Sequence, residues 1–176
     1  MKKLLVIGCA LAALLLTQNA DAQYVREKSI FVGPVVALAL QGSNSFFIGA
    51  NFEYMIKRDV GIGGVFRYFS YTARTFPDGG SYVFNSEIIG AQANYHFKMP
   101  QQEFDPVIGA LVGLEMFQGG FKNTTVTYGA PSGSSNLVFA ITAGARYFLT
   151  DKLSAALRLA FGSNYNALEL GLDLSL

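Results

Sequence analysis

The sequence has 176 residues, which is enough for one domain of ordinary size. Its formal net charge of +1 creates no strong electrostatic field, and this argues against a nucleic-acid partner or an acidic one. Hydrophobic residues make up 51% of the chain, with 15 Phe, 9 Tyr and no Trp, so the placement of the apolar residues must decide the class of protein.

The N-terminal segment has the order of a secretory signal peptide. A pair of lysines precedes the apolar stretch 4–16, which is too short to cross a bilayer as a helix. An A-x-A cleavage motif then ends at Ala22. We therefore predict a cleaved signal peptide at 1–22 and a single mature domain at 23–176.

Cys9 is the one cysteine of the sequence. A lipoprotein cleavage site at Cys9 is an alternative, but it would leave the apolar stretch 10–16 on the mature protein. Cleavage after Ala22 instead leaves a mature domain without cysteine, in which a disulfide or a thiolate metal site is impossible. We expect no cofactor and no metal.

Alternation of apolar and polar residues, the two-residue period of a strand, recurs along the mature domain. Turn residues divide it into segments that predict eight antiparallel strands. The predicted strands are 29–41, 45–56, 60–75, 81–97, 106–117, 136–148, 153–161 and 167–176. The fourth segment changes phase near Ile88-Ile89, which predicts a β-bulge there.

The second face of the predicted strands carries small residues and a set of charges but no lysine. In a membrane barrel the apolar face points outward and the polar face points inward. An eight-stranded barrel is only wide enough inside to be filled by side chains. We therefore predict a lumen that is plugged by an ion network of arginines and acids, with Glu87 left open by the phase change. The predicted network is Glu53, Arg67, Glu115, Arg146, Arg158, Glu169 and Asp173.

The connections between the strands differ in length in a way that predicts an orientation. The turns at 57–59 and 150–152 are short and charged, whereas the connection 118–135 is long. Short periplasmic turns and longer external loops are typical of outer-membrane barrels. We predict that 118–135 faces outward and contacts a surface ligand through Lys122 and Tyr128, the alternative being a mobile solvated loop.

Aromatic residues recur at matching positions of the strands. Tyr54, Tyr95 and Tyr147 lie near the ends of strands 2, 4 and 6, where a girdle at the membrane interface is expected. Three phenylalanines are candidates for the opposite girdle: Phe46, Phe139 and Phe161. The last strand resembles the insertion signal of outer-membrane proteins, with Leu176 where Phe is usual, and this implies recognition by the barrel-insertion machinery.

Together these features resemble the OmpA/OmpX-like family of small outer-membrane barrels over the whole mature domain. The segment 144–154 resembles the penultimate hairpin of that family. The resemblance implies an all-β fold, an eight-stranded antiparallel up-and-down transmembrane β-barrel, in contact with the lipid of a bacterial outer membrane. Activities within the family vary widely, so the resemblance implies fold and location rather than a task.

The predicted function is a structural or adhesion-like role at the cell surface, without enzymatic activity. His96 is the one histidine, and it falls at the periplasmic end of its strand without a neighbouring Ser, so a nucleophile–base pair is missing. Two alternatives remain open. One is a narrow conduit for small hydrophobic molecules, as in OmpW-like relatives, and the other is a secreted lipocalin-like carrier with its apolar face inward.

Overall fold

The computed structural model describes residues 25–40, 46–75, 80–122 and 133–176. The predicted signal peptide, and Tyr128 within the predicted outer connection, lie outside the described residues. Among the described residues there is no helix with the length and apolar character needed to cross a membrane. The strands are β1 Ile30–Ala39, β2 Phe46–Lys57, β3 Val60–Thr75, β4 Ser81–His96, β5 Phe104–Lys122, β6 Gly133–Phe148, β7 Leu153–Gly162 and β8 Ala167–Ser175.

Each strand pairs with the next one in antiparallel orientation, and β1 pairs with β8, so the sheet is a closed barrel. Closure gives the edge strands partners, so no edge is left along the length shared by all eight strands. This confirms the predicted fold class, an all-β eight-stranded antiparallel up-and-down barrel.

The two ends of the barrel differ. We call one the turn end, because it carries the short connections from β2 to β3, β4 to β5 and β6 to β7 together with the start of β1 and the end of β8. We call the opposite end the loop end. Strands β3–β6 have 16 to 19 residues, whereas the other four have 9 to 12. Pairing of β6 with β7 stops at Ala140 and Gly162, but β6 begins at Gly133, so the long strands project at the loop end.

The outward face of the barrel is apolar. Phe46, Ile141 and Leu170 are 67%, 64% and 60% exposed, respectively. The inward face instead buries arginines, acids and amides. The two faces are reversed relative to a water-soluble barrel. Apolar side chains on the outward face are stabilised only when an apolar medium surrounds them.

Two apolar clusters occupy the lumen beside these polar residues. At the turn end, Val25, Phe31, Met55 and Phe148 form a buried cluster. Towards the loop end a larger cluster draws residues from all eight strands and from the β7–β8 connection. Its members are Ala37, Phe47, Val65, Ile88, Leu111, Val138, Ala140, Ala160, Tyr165 and Ala167. The interior is therefore divided along its length into apolar and polar parts.

The predicted phase change in β4 is wrong. Ile88 is 1% exposed and Ile89 is 54% exposed, so the alternation continues through this pair. Ile88 misled the prediction because it is an apolar residue on the inward face, where it packs in the larger apolar cluster. The register shift lies in β3, between Thr72 and Arg74. Since Ser86 and Ile88 face inward, Glu87 faces outward.

The predicted bounds of β5 and β6 were too short. Both strands continue into the region read as a connection, with Gln118 paired to Gly133. Packing explains why this strand position is a glycine. A Cβ added to Gly119 would lie 2.1 Å from the hydroxyl oxygen of Tyr82. Glycine and serine resemble turn residues in sequence, whereas here they are part of the ladder. Of the predicted outer connection, only 123–132 falls outside the two strands.

Candidate functional site

The charged side chains of the lumen are the candidate site. All seven residues predicted for the ion network are buried, with exposed fractions between 1% and 6%. Strand alternation places them inward, because the apolar residues directly before and after each of them face outward. The structure brings six of them into two clusters and leaves Glu115 apart.

The turn-end cluster consists of Glu53, His96, Asp105, Arg146 and Asp173. Its centre is Arg146, which reaches three carboxylates from three other strands. The Arg146 nitrogens lie 2.7 Å from Glu53 Oε2, 3.1 Å from Asp173 Oδ2 and 3.4 Å from Asp105 Oδ2. A guanidinium has five donors in a fixed planar arrangement, and this allows one arginine to serve several acids.

His96 bridges two acids of the turn-end cluster. Its Nδ1 lies 2.9 Å from Asp105 Oδ2, and its Nε2 lies 3.2 Å from Glu53 Oε1. Ionised carboxylates only accept hydrogen bonds, so both ring nitrogens must donate and the ring is an imidazolium. Asn94 Nδ2 also donates to Glu53 Oε1. The cluster thus combines two cations with three carboxylates.

Apolar residues surround the turn-end cluster on its outer side. The Arg146 guanidinium carbon lies 4.1 Å from the ring centroid of Phe31, a cation–π contact. Phe31 itself packs against Phe148 with 6.0 Å between the ring centroids. The two rings separate the charges from solvent at the turn end, where a low local dielectric strengthens each ion pair.

The mid-lumen cluster consists of Asn51, Arg67, Arg158, Tyr165 and Glu169. Arg67 lies 2.8 Å from Glu169 Oε1 and donates to Asn51 Oδ1 at 2.7 Å. Arg158 Nε lies 3.6 Å from Glu169 Oε2 and has no hydrogen-bond partner among the described residues. Two arginines therefore share one carboxylate.

Tyr165 enters the mid-lumen cluster from the connection between β7 and β8. Its hydroxyl donates to Glu169 Oε1 and accepts a hydrogen bond of 3.2 Å from Arg67 Nε. Burial, together with the Glu169 carboxylate beside it, raises the pKa of the Tyr165 phenol above its ordinary value. The phenol therefore stays a neutral donor to Glu169 over a wide pH range.

Little space separates the two clusters. A cavity between them is lined by Glu53 and Arg146 on one side and by Arg158 on the other, and its volume is about 10 Å³. This is at the lower limit for one water molecule. This cavity therefore has room for at most about one water molecule.

Glu115 belongs to neither cluster. Its Oε1 accepts a hydrogen bond of 2.8 Å from Ser86 Oγ, and its Oε2 has no hydrogen-bond partner in the described part of the chain. None of the ion pairs between described residues includes Glu115. The sequence prediction placed it in a common network because strand alternation shows the face of a residue but not its neighbours.

Sequence reasoning missed His96, Asp105 and Tyr165 as members of these clusters. Asp105 was assigned to a turn, although it shares its alternation with Glu115 further along β5. His96 continues the inward polar run of Gln92 and Asn94, and the same alternation would have found it. Tyr165 carries no comparable signal, because it lies outside the strands.

The predicted interface aromatics face outward. Tyr95 and Tyr147 are 46% and 52% exposed, and Tyr54 is half-buried on the same face near the turn end. The three phenylalanines proposed for the opposite girdle face outward near the loop end. They are Phe46, Phe139 and Phe161. Of the predicted outer contacts, the side chain of Lys122 and the whole of Tyr128 lie outside the described residues.

The geometry provides neither a hydrolytic centre nor a metal site in the described ranges. Both nitrogens of His96 are engaged by carboxylates, so neither can accept a proton from a nucleophile. Within 25–40, 46–75, 80–122 and 133–176 no group of histidine, cysteine and acidic residues has the arrangement of a metal site. What the arrangement does is hold opposite charges together across the lumen.

Comparison with known proteins identifies the fold. No protein-family model and no curated protein sequence matches the chain. Among solved structures, the N-terminal β-barrel domain of OprF from Pseudomonas aeruginosa is similar at 16% identity, with 85% of this chain and 98% of that chain covered and a TM-score of 0.59.

Two further barrels are similar to the same degree. Ail, the attachment invasion locus protein of Yersinia pestis, solved with the heparin analogue sucrose octasulfate, has 15% identity, covers 84% of this chain and 97% of its own, and has a TM-score of 0.59. Neisserial surface protein A has 18% identity, with 84% and 95% covered and a TM-score of 0.57. The chain has the fold of small bacterial outer-membrane barrels.

Proposed function

We propose that this chain is an integral protein of a bacterial outer membrane, with a lumen closed by side chains and a surface-interaction role at its loop end. The observation that carries the proposal is the inversion of the barrel. Its arginines and acids face inward, and its large apolar side chains face outward. A secreted lipocalin-like carrier is disfavoured, because its outward face would have to be compatible with water.

Fractionation of cells tests the location. We expect the mature protein in the outer-membrane fraction, extracted only by detergent, and migrating differently on gels before and after heating. Release of the protein by washing without detergent would favour the soluble carrier and contradict the proposal.

Closure of the lumen is supported by the two ion clusters and by the small volume left between them. Each of Arg67 and Arg146 joins strands that lie far apart in sequence, so the clusters cross the lumen rather than line one wall. We expect the purified protein to show no large stable conductance in planar bilayers. Such a conductance in the unaltered protein would contradict closure. The double variant Glu53→Ala with Arg146→Ala, which removes both charges of the 2.7 Å contact, serves as the sensitivity control and should conduct more.

The alternative of a conduit for small hydrophobic molecules needs an opening between strands. All neighbouring pairs are hydrogen-bonded in the described residues, including β1 with β8. This continuous pairing argues against an opening between the described strands, so the alternative remains second.

A surface-interaction role is supported by the projection of β3–β6 at the loop end, where β5 and β6 flank the segment 123–132 in the chain. The similar barrel Ail is described in complex with a heparin analogue, so sulfated glycans are a reasonable first class of ligand to assay. The test replaces 123–132 by a Gly/Ser segment of equal length.

We expect this replacement to abolish attachment to sulfated glycans or host cells and to leave heat-modifiable folding intact, since β5 and β6 keep all their residues. The matched control replaces 41–45, another loop-end connection, in the same way. Attachment that survives replacement of 123–132 would contradict a role for this segment.

A further inference from the structure

Among the described residues, Glu115 is the one buried carboxylate without an ion-pair partner. The two clusters balance without it, because three arginines and the His96 imidazolium face four carboxylates. These four are Glu53, Asp105, Glu169 and Asp173. Glu115 is 3% exposed and has a single hydrogen bond, to the Ser86 hydroxyl. A buried carboxylate with one unbonded oxygen is costly, and its presence needs a reason.

The Glu115 carboxylate is drawn towards the loop end. Glu115 is paired across the sheet with Ile88, whereas its hydrogen-bond donor Ser86 is paired with Phe117, one inward position nearer the loop end. The carboxylate must therefore reach from the level of Ile88 towards the level of Phe117. The hydrogen bond from Ser86 thus holds the Glu115 carboxylate on the loop-end side of the Ile88 level, away from the ion clusters below.

Aromatic rings continue the inward face of β4 and β5 beyond Glu115. Phe117, Phe84, Tyr82 and Phe121 occupy successive inward positions and are all half-buried. The Tyr82 ring lies 4.7 Å from Phe84 and 4.7 Å from Phe121 between centroids. Such a wall accommodates hydrocarbon and, through the ring faces, positive charge.

The wall is approached from the side of β6. Asn136, which is paired with Glu115, is exposed. β7 stops pairing with β6 at Ala140, so in the described residues no strand flanks this part of β6 on its far side. The exposed Asn136 thus marks the side from which a small molecule at the loop end would approach Glu115.

We propose that Glu115 and the aromatic wall form a binding site for a small alkylammonium compound, with the ammonium group on Glu115 Oε2 and the hydrocarbon part against the rings. A divalent metal ion fits less well, because Ca²⁺ and Mg²⁺ require about six oxygen ligands, and Glu115 and Ser86 supply a carboxylate and one hydroxyl. The site differs from the segment 123–132 and from the closed lumen, so it goes beyond the function proposed above.

Calorimetric titration with n-butylammonium tests the site, using protein in a non-ionic maltoside detergent that carries no competing ammonium group. We expect saturable binding to the unaltered protein and at least about tenfold weaker binding to Glu115→Gln, because a charge-assisted hydrogen bond is lost. The neutral analogue 1-butanol should bind at least about tenfold more weakly than n-butylammonium, for the same reason.

The matched control is Glu87→Gln, which removes a carboxylate from the outward face of β4. Glu87 is next to Ile88, the residue that is paired with Glu115. The Glu87→Gln variant should bind n-butylammonium as the unaltered protein does, and all variants should keep heat-modifiable folding. Absence of saturable binding to the unaltered protein, equal binding of 1-butanol, or equal weakening by Glu87→Gln would overturn the proposal. A second variant, Tyr82→Leu, should weaken binding of n-butylammonium while leaving Glu115 in place, and unchanged binding would remove the aromatic wall from the site.

Discussion

A single arginine holds the turn end of the lumen together. Arg146 contacts acids on β2, β5 and β8, and its guanidinium also stacks on Phe31 of β1. Buried ion pairs add little net stability when they form, but loss of one partner leaves the others charged and unpaired. The effect of a substitution therefore depends on how many buried charges it leaves without a partner.

We predict that Arg146→Met lowers the free energy of unfolding by about 3–5 kcal/mol, because three carboxylates lose their shared cation in a buried site. Urea titration in lipid vesicles, followed by the shift in gel mobility, measures this. The matched control is Arg158→Met, which should cost no more than about 1 kcal/mol, since a charged group held at 3.6 Å without a hydrogen bond contributes little. Equal losses for the two variants would show that the contacts of Arg146 are not what sets its importance.

Tyr165 makes the stability contributed by the mid-lumen cluster depend on pH in the alkaline range. Burial raises its pKa in the folded protein, so the folded state holds the phenol proton more tightly than the unfolded chain does. Its contribution to stability is complete below the unfolded pKa of about 10 and is lost as the pH rises through the folded-state pKa. We predict that the stability difference between the unaltered protein and Tyr165→Phe is constant up to about pH 10 and shrinks above it. Unfolding free energies measured at a series of alkaline pH values check this, and a difference that grows with pH would contradict the sign.

At the scale of single elements, β1 and β8 close the barrel, and among the described glycines Gly33 of β1 leaves the least room for an added Cβ. A Cβ added to Gly33 would lie 1.6 Å from the carbonyl oxygen of Leu172, which is backbone and cannot rotate away. The two strands approach this closely beside Pro34, where β1 lacks a donor for the ladder. Gly33 is thus required by the approach of one backbone to another.

We predict that Gly33→Ala destabilises the barrel by about 1–3 kcal/mol through overpacking at the closing contact, and that it lowers the yield of refolded protein. Gly120→Ala is the control, because a Cβ added there meets nothing within 4 Å, and its effect should stay within about 0.5 kcal/mol. Refolding into detergent micelles, scored by gel mobility, separates the two. Normal refolding of Gly33→Ala would mean that β1 and β8 can move apart at little cost.

The long strands β4 and β5 show why element bounds were harder to predict than element types. Strict alternation identified the strands, but Gly119 and Gly120 were read as the start of a connection. The Tyr82 ring lies over Gly119 on the neighbouring strand, so the glycine is needed for a contact between strands. A sequence shows the residue type but not the ring that lies across from it.

For the whole molecule, the proposed orientation follows from the different lengths of the connections at the two ends. The turn end carries short connections such as 149–152, and the loop end carries the long strands and the segment 123–132. The predicted mature domain contains no cysteine, so single introduced cysteines can report on each end without background.

We predict that Ser135→Cys, exposed near the loop end, reacts with a membrane-impermeant maleimide in intact cells. Asp151→Cys, exposed at the turn end, should react only after the outer membrane is permeabilised. Labelling counted by mass spectrometry of the purified protein gives the result. The reverse pattern would invert the orientation, and labelling of both sites in intact cells would contradict a chain that spans the membrane.

The sequence by itself determined which face of each regular strand points outward. Leu170, Leu172 and Leu174 alternate with Glu169, Gly171 and Asp173, and a period of two allows one assignment once the surrounding medium is known. The same reasoning found the fold class and the inward charges. It failed where an apolar residue, Ile88, occupies the inward face, because composition then no longer distinguishes the two faces.

Only the tertiary structure decided which inward residues meet. Arg146 lies on β6, yet its acids come from β2, β5 and β8, because the registers of the closed sheet and the reach of the guanidinium across the lumen set the contacts. Tyr165 joins the mid-lumen cluster from a connection that has no periodicity to read. Glu115 was grouped with the ion network by its face alone, and none of the ion pairs between described residues gives it a cation.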